Sequence, residues 1–257
     1  MHAPALQPIP PDMLLLAYRS GIFPMADSRD DPEVFWVEPR VRAILPLEGF
    51  HLSRSLAKVL RRDKFRVTCN AAFDRVIAAC AAPRADHPES WISARIEESY
   101  RQLHAMRHAH SIECWRRDED GGQDLVGGLY GVGFDRVFCG ESMFSRATDA
   151  SKVALAWLVA ALRRGGGGLL DCQFMTGHLA SMGAVEISQQ RYLRLLAAAQ
   201  AGSPAGVAAG VGVAAGSLAS SPGAALALPD AFDLLLLDAG KSGAPGNSIV
   251  QSLTHTS

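Results

Sequence analysis

The apolar positions of this chain change period along its length. Over residues 11–21 (PDMLLLAYRSG) and 53–65 (SRSLAKVLRRDKF) they recur at helical spacing. Pro11 suits the first turn of the first helix and Gly21 its stop. In the second, Leu56, Val59 and Leu60 share one face, and Arg54, Lys58, Arg61 and Arg62 occupy the rest. Two more helices are predicted over 70–81 (NAAFDRVIAACA), with Asn70 as cap, and over 90–106, with Ile92, Ile96, Tyr100 and Leu103 as the buried stripe. The period then changes. SIECWRR (111–117), DLVGGLYGVGF (124–134) and RVFCGESMF (136–144) predict three strands, the last two joined by a tight turn at 133–135. An amphipathic helix over 149–166, capped by Asp149 or Ser151, leads to the buried strand LLDCQF (169–174). A short helix over 178–184 and a longer one over 188–200 follow. This order predicts a mixed sheet with helices packed on it, an α+β fold.

Composition divides the chain into three zones, 1–66, 67–200 and 201–257. From residue 201 to 229 there is no charge, and the stretch is mostly Ala and Gly. It is too poor in Leu, Ile and Phe for a membrane span, so a low-complexity linker or tail is expected. The apolar patch FDLLLLDAG (232–240) would dock on the body or on a partner. Apolar residues make up 48% of the chain, enough for a real core, and the net charge is -1. That excludes a surface uniformly positive, but not a local basic patch. Five cysteines with no CxxC pair predict neither a disulfide framework nor a zinc cage, and point to a reducing, cytoplasmic setting. MHAPALQPIPPDM lacks the basic and apolar stretches of a signal peptide.

Nine segments stand in order: AYRSGIFPM, TCNAAFDRVIAACA, SWI, HAHSIECW, LVGGLYGV, FCGESMFS, ASK, DCQ and SMGAVEI. Together, over roughly residues 12–197, they resemble the leucyl/phenylalanyl-tRNA–protein transferase family. The resemblance implies a small N-terminal α+β domain, here 1–66, followed over 67–200 by a mixed-sheet domain like that of the N-acetyltransferases (GNAT-like); the Ala/Gly-rich tail, 201–257, departs from the family pattern. It implies transfer of leucine or phenylalanine, with methionine a third candidate, from aminoacyl-tRNA to the N-terminal Arg or Lys of an acceptor protein, marking it for degradation. A monomer away from membranes is expected, with no metal or cofactor.

The same resemblance assigns residues. Asp171 and Gln173 form the catalytic pair, and Glu141 reads the cationic acceptor. Met25, Trp91, Tyr100, Leu129, Phe138, Met143 and Leu158 form the apolar donor pocket, in which Met25 and Leu129 differ in shape from the family pattern. The basic stripe with Arg54, Lys58, Arg61 and Arg62 suits phosphate contacts and is expected to seat the tRNA, with Arg61 and Arg62 matching the family's basic pair. The chemistry asks for little. The ester is already activated, the α-amine has a pKa of about 7.7–8.0, and holding reactants in attack geometry alone contributes ~7–11 kcal/mol in favourable cases. Strand alternation places Asp171 and Gln173 on one face and Cys172 on the other, towards the core. That disfavours Cys172 as a nucleophile assisted by His178. On this reading the Gln173 side-chain amide donates to Asp171, which orients its carbonyl towards the amine. The alternative, a coenzyme-A-dependent acyltransferase, needs a glycine-rich phosphate loop before the 151–164 helix. SRATDA there has no glycine, and the 165–168 glycine run follows the helix instead.

Overall fold

The computed structural model describes residues 7–83, 90–117, 121–202, 228–242 and 244–254. Seven strands form one sheet in the order β4-β5-β6-β7-β8-β3-β9. They are β3 (Val41–Ile44), β4 (Arg66–Cys69), β5 (Ala109–Arg117), β6 (Gln123–Phe134), β7 (Val137–Ser145), β8 (Leu169–Gln173) and β9 (Val185–Ser188). Only β7 and β8 run parallel, because the connection between them is a crossover helix, α5 (Ala150–Arg164). The other neighbours are antiparallel. A separate two-stranded ribbon joins β1 (Phe23–Met25) to β2 (Phe35–Val37). This is the mixed sheet with helices that the pattern predicts, and it is consistent with an acyltransferase fold.

Alternating strand residues feed two cores, one on each face of the sheet. Tyr130, Val137, Cys139 and Leu169 pack with α1 (Pro11–Arg19), α3 (Phe73–Ala81), α4 (Ala94–Ala105) and α7 (Gln189–Gln200). Leu129, Phe138 and Leu170 pack with α5 and with α2 (Arg54–Arg61). Residues 41–65, read from sequence as part of the first zone, therefore supply a strand and a helix to the larger sheet and its core.

The C-terminal zone is more than a tail. The uncharged stretch 203–227 lies outside the described residues, but α8 (Leu228–Ser242) and α9 (Pro245–Thr254) follow it. Phe232 and Leu235 are buried, and the Phe232 ring lies 5.2 Å from Trp157 of α5. The patch at 232–240 thus docks on the body. This explains why α5 is buried almost all round, from Ala150 to Leu162 except Lys152: the sheet covers one side and α8, α9 and α2 cover the other. On α9, Gly246 approaches α2 so closely that a Cβ would lie 1.8 Å from the Leu60 carbonyl oxygen. Its N–H donates to Asp63 at 2.8 Å. The α3 cap also differs from expectation. Asn70 accepts from the Ser111 N–H, and the buried Glu113 accepts from the N–H groups of Ala71 and Ala72.

Candidate active site

Pairing of the parallel strands β7 and β8 ends at Cys139–Asp171. Just beyond that point each strand carries an irregularity. Between β6 and β7 the register passes from Tyr130–Ser142 to Gly131–Gly140, leaving Glu141 as an extra residue. A bulge of this kind bends the strand and re-aims the inserted side chain. Gly131, opposite, tolerates no Cβ: one would sit 2.2 Å from the Cys139 carbonyl oxygen. Between β8 and β3 the register passes from Gln173–Ala43 to Asp171–Ile44, leaving Cys172 extra. Gln173 then takes the left-handed backbone conformation, with φ 61°, uncommon for a residue with a Cβ.

These two departures open a cavity of about 860 Å³. Leu129, Met143, Leu155, Leu158, Leu170 and Leu179 supply its apolar wall, and Trp91 also lines it. Glu141 and Gln173 face it with polar atoms, as do Arg146, Thr176 and His178. The Gln173 side-chain amide donates to Glu141 Oε1 at 2.9 Å. Tyr100 donates to Glu141 Oε2 at 2.9 Å, and the Tyr100 hydroxyl shares a short hydrogen bond with that of Tyr18. Burial drives the Glu141 carboxyl up from an ordinary 4.5 to about 7. Hydrogen bonds from Tyr18, Tyr100 and Gln173 oppose this shift, and the nearby negative charge of Asp171 adds to it.

Of the residues expected at the site, Glu141, Gln173, Trp91, Leu129, Met143 and Leu158 line this one cavity. Four others stand outside its wall. Phe138 is fully buried in the sheet core, against Gly131. Tyr100 is also fully buried and reaches the cavity only through its bond to Glu141. Met25 sits half-buried on the β1–β2 ribbon, packed against the core on the opposite face from α5. Asp171 is 0% exposed, behind the wall. Strict alternation fails here because of the bulge and the positive φ. Cys172 lines the cavity beside Gln173 instead of pointing away from it. Its thiol is pushed up by burial and then by the Asp171 charge, which suppresses the thiolate a nucleophile requires. The expected bond from the Gln173 side chain to Asp171 is also replaced: the Gln173 backbone N–H makes it, to Oδ1 at 2.8 Å.

Sequence reasoning missed what holds Asp171. Arg42 of β3, 1% exposed, donates from Nε to Oδ1 at 2.9 Å and from Nη2 to Oδ2 at 2.6 Å. Tyr192 of α7 donates to Oδ2 at 2.9 Å. Burial works against the Arg42 charge, but its bonds to Asp171 outweigh burial and hold the guanidinium protonated. The signal was present: in VRAIL a lone cation stands in an apolar run, and a buried charge demands a partner. On α2 and its C-cap, Arg54, Lys58, Arg61 and Arg62 are all exposed, while Asp63 is occupied by Gly246. The 165–168 glycine run closes the C-terminal end of α5, where Gly167 N–H donates to the Leu162 carbonyl at 2.7 Å. The segment before that helix, SRATDA, has no such glycine run to cradle a phosphate.

No helix among the described residues is long and apolar enough to cross a membrane. The family profile "Leucyl/phenylalanyl-tRNA protein transferase" matches residues 44–197, and the profile of that family's N-terminal domain matches residues 8–40. The chain is 64% identical to the leucyl/phenylalanyl-tRNA–protein transferase of Novosphingobium aromaticivorans, over 97% of each chain. It is 58% identical to the protein of that name from Rhizorhabdus wittichii, over 74% of this chain and 75% of the relative. Against the one from Rhodopseudomonas palustris the identity is 55%, over 75% and 83%. With both profiles in sequence order and the splayed strands carrying Glu141 and Gln173 at one cavity, this chain belongs to the leucyl/phenylalanyl-tRNA–protein transferase family.

Proposed function

We propose that this protein transfers leucine, phenylalanine or methionine from aminoacyl-tRNA to the N-terminal Arg or Lys of acceptor proteins, acting as a cytoplasmic monomer and marking those proteins for degradation. The observation that carries the reading is the Glu141–Gln173 pair, bonded at 2.9 Å on the wall of a cavity with a large apolar face. The cavity volume falls in the range of ligand pockets, ~300–1,000 Å³. It has room for a leucine or phenylalanine side chain beside the ester, and Met143 supplies a flexible surface that adapts to both shapes.

The acceptor brings positive charge to a half-neutral carboxyl. A cation near Glu141 favours the ionised form, so docking an Arg- or Lys-terminal chain would release the Glu141 proton and create the ion pair that holds the acceptor. With its Nε2 bound to Glu141, Gln173 has its carbonyl oxygen left to accept an N–H of the attacking amine. The neutral amine attacks the ester carbonyl, the C–O bond to the ribose breaks, and the departing oxygen takes up a proton as the amine nitrogen loses one. In this scheme Gln173 meets the substrate and Asp171 positions Gln173. The exposed Arg54, Lys58, Arg61 and Arg62 seat tRNA phosphates.

The test uses labelled leucyl-, phenylalanyl- and methionyl-tRNA with peptides beginning in Arg, Lys or Asp. Label is expected on the Arg and Lys peptides and not on the Asp peptide. Equal labelling of all three peptides would remove the acceptor role of Glu141, and no labelling at all would remove the activity.

A further inference from the structure

We propose that Arg42 is a positioning residue of the transfer reaction, acting through Asp171 on the conformation of Gln173. The proposal rests on the reading above, in which Gln173 meets the attacking amine. Three linked contacts carry it. Arg42 holds both Asp171 oxygens, with Nε 2.9 Å from Oδ1 and Nη2 2.6 Å from Oδ2. The same Oδ1 accepts the Gln173 backbone N–H at 2.8 Å, just where φ is 61°. That left-handed turn places the Gln173 side chain against Glu141. Released from Asp171, Gln173 has no evident reason to stay in a conformation that residues with a Cβ avoid.

Arg42 is itself gripped from several directions. Its guanidinium lies 4.7 Å from the Phe23 ring centre and 4.4 Å from that of Tyr192. Nη1 donates to the Gly21 carbonyl at 3.2 Å, and Nη2 to the Tyr192 hydroxyl at 3.3 Å. One side chain therefore ties the 21–23 turn before the β1–β2 ribbon to the end of β8. Stability alone is a poor explanation for it. Burying both charges carries a large desolvation cost, and well-packed apolar residues replace such pairs at little or no loss. A planar fork with five donors is instead suited to fixing a carboxylate in one orientation. The oxygens of Asp171 are occupied by Arg42, Tyr192 and Gln173, so it has little capacity left to take a proton from substrate.

The test is Arg42→Lys, which keeps the charge and loses the fork. With wild-type transfer established first, kcat is expected to fall by about a hundredfold, the cost of misplacing a reacting group by about 1 Å. KM for leucyl-tRNA and for the Arg-terminal peptide should stay within about threefold, because Arg42 does not itself line the cavity and Glu141 stays in place. A variant that loses thermal stability but keeps kcat well below its melting temperature would overturn the proposal, and so would a rise in KM at unchanged kcat. If Arg42→Lys does not fold, a neutral pair decides the matter. Asp171→Asn is compared with Arg42→Gln/Asp171→Asn, in which no charge is left buried alone. If Arg42 acts through Asp171, the second substitution lowers kcat no further. An independent further loss would overturn the proposal. Failure of wild-type transfer would instead count against the activity itself.

Discussion

Glu141→Gln separates the site's electrostatics from its packing. In the folded protein burial moves the Glu141 carboxyl from 4.5 to about 7. The folded state thus holds this proton to higher pH than the unfolded chain does. Its contribution to stability is complete below about pH 4.5 and is lost as pH rises to about 7. At about 1.4 kcal/mol per pH unit, the loss comes to about 3 kcal/mol. A glutamine there has nothing to ionise, and any change in its hydrogen bonds offsets the curve equally at every pH. His110 slopes the other way. Burial pushes its imidazole from 6.5 down to about 4, so its contribution is present above 6.5 and lost as pH falls towards 4. It is common to both proteins and cancels in their difference. Urea unfolding of both proteins at unit steps from about pH 5 to about pH 8 measures that difference. The variant should gain on the wild type by about 2.5 kcal/mol between about pH 5 and about pH 8, most of it below pH 7. Parallel curves would show that Glu141 is not the buried, proton-holding carboxyl described above.

Three other substitutions test separate parts of the account. Arg61→Ala/Arg62→Ala should weaken charged-tRNA binding and flatten the slope of log K against log salt by about 1.5, since two phosphate contacts are lost; an unchanged slope in a filter-binding titration would remove α2 as the seat. Cys172→Ala should retain wild-type turnover, because nothing in the reaction uses its suppressed thiolate, and a large drop in kcat would revive covalent catalysis. Gly246→Val places a side chain on the Leu60 carbonyl and should destabilise the protein by about 1–3 kcal/mol in thermal unfolding; an unchanged Tm would show that α9 does not dock there.

The fold could be read from sequence wherever one residue sits in one environment. Strand pairs such as Leu129/Tyr130 and Leu169/Leu170 send neighbours to opposite cores, so periodicity alone located β6 and β8. The short strands β1, β2 and β3 escaped because three or four residues are too few to set a period. The docking patch at 232–240 was legible as an apolar run, but the helices that carry it escaped because the uncharged Ala/Gly stretch before them made the zone read as a tail. At the site, six of the residues the resemblance named line one cavity, but strand alternation misdirected the 171–173 stretch. Cys172, Gln173 and Asp171 face where they do because a bulge and one positive φ break the period, and neither is encoded by residue type. The Glu141 bulge is equally silent in sequence, although Gly131 marks the close backbone approach opposite it. Arg42 was legible in principle, as a charge in an apolar strand.

The most direct measurement is a crystal structure with phenylalanyl-adenosine in which an amide replaces the reactive ester. The account predicts the phenyl ring among Met143, Leu155, Leu158 and Leu170, and the carbonyl carbon within reach of an amine held by Gln173 and Glu141. A ligand bound elsewhere, or one whose carbonyl points away from Gln173, would contradict it.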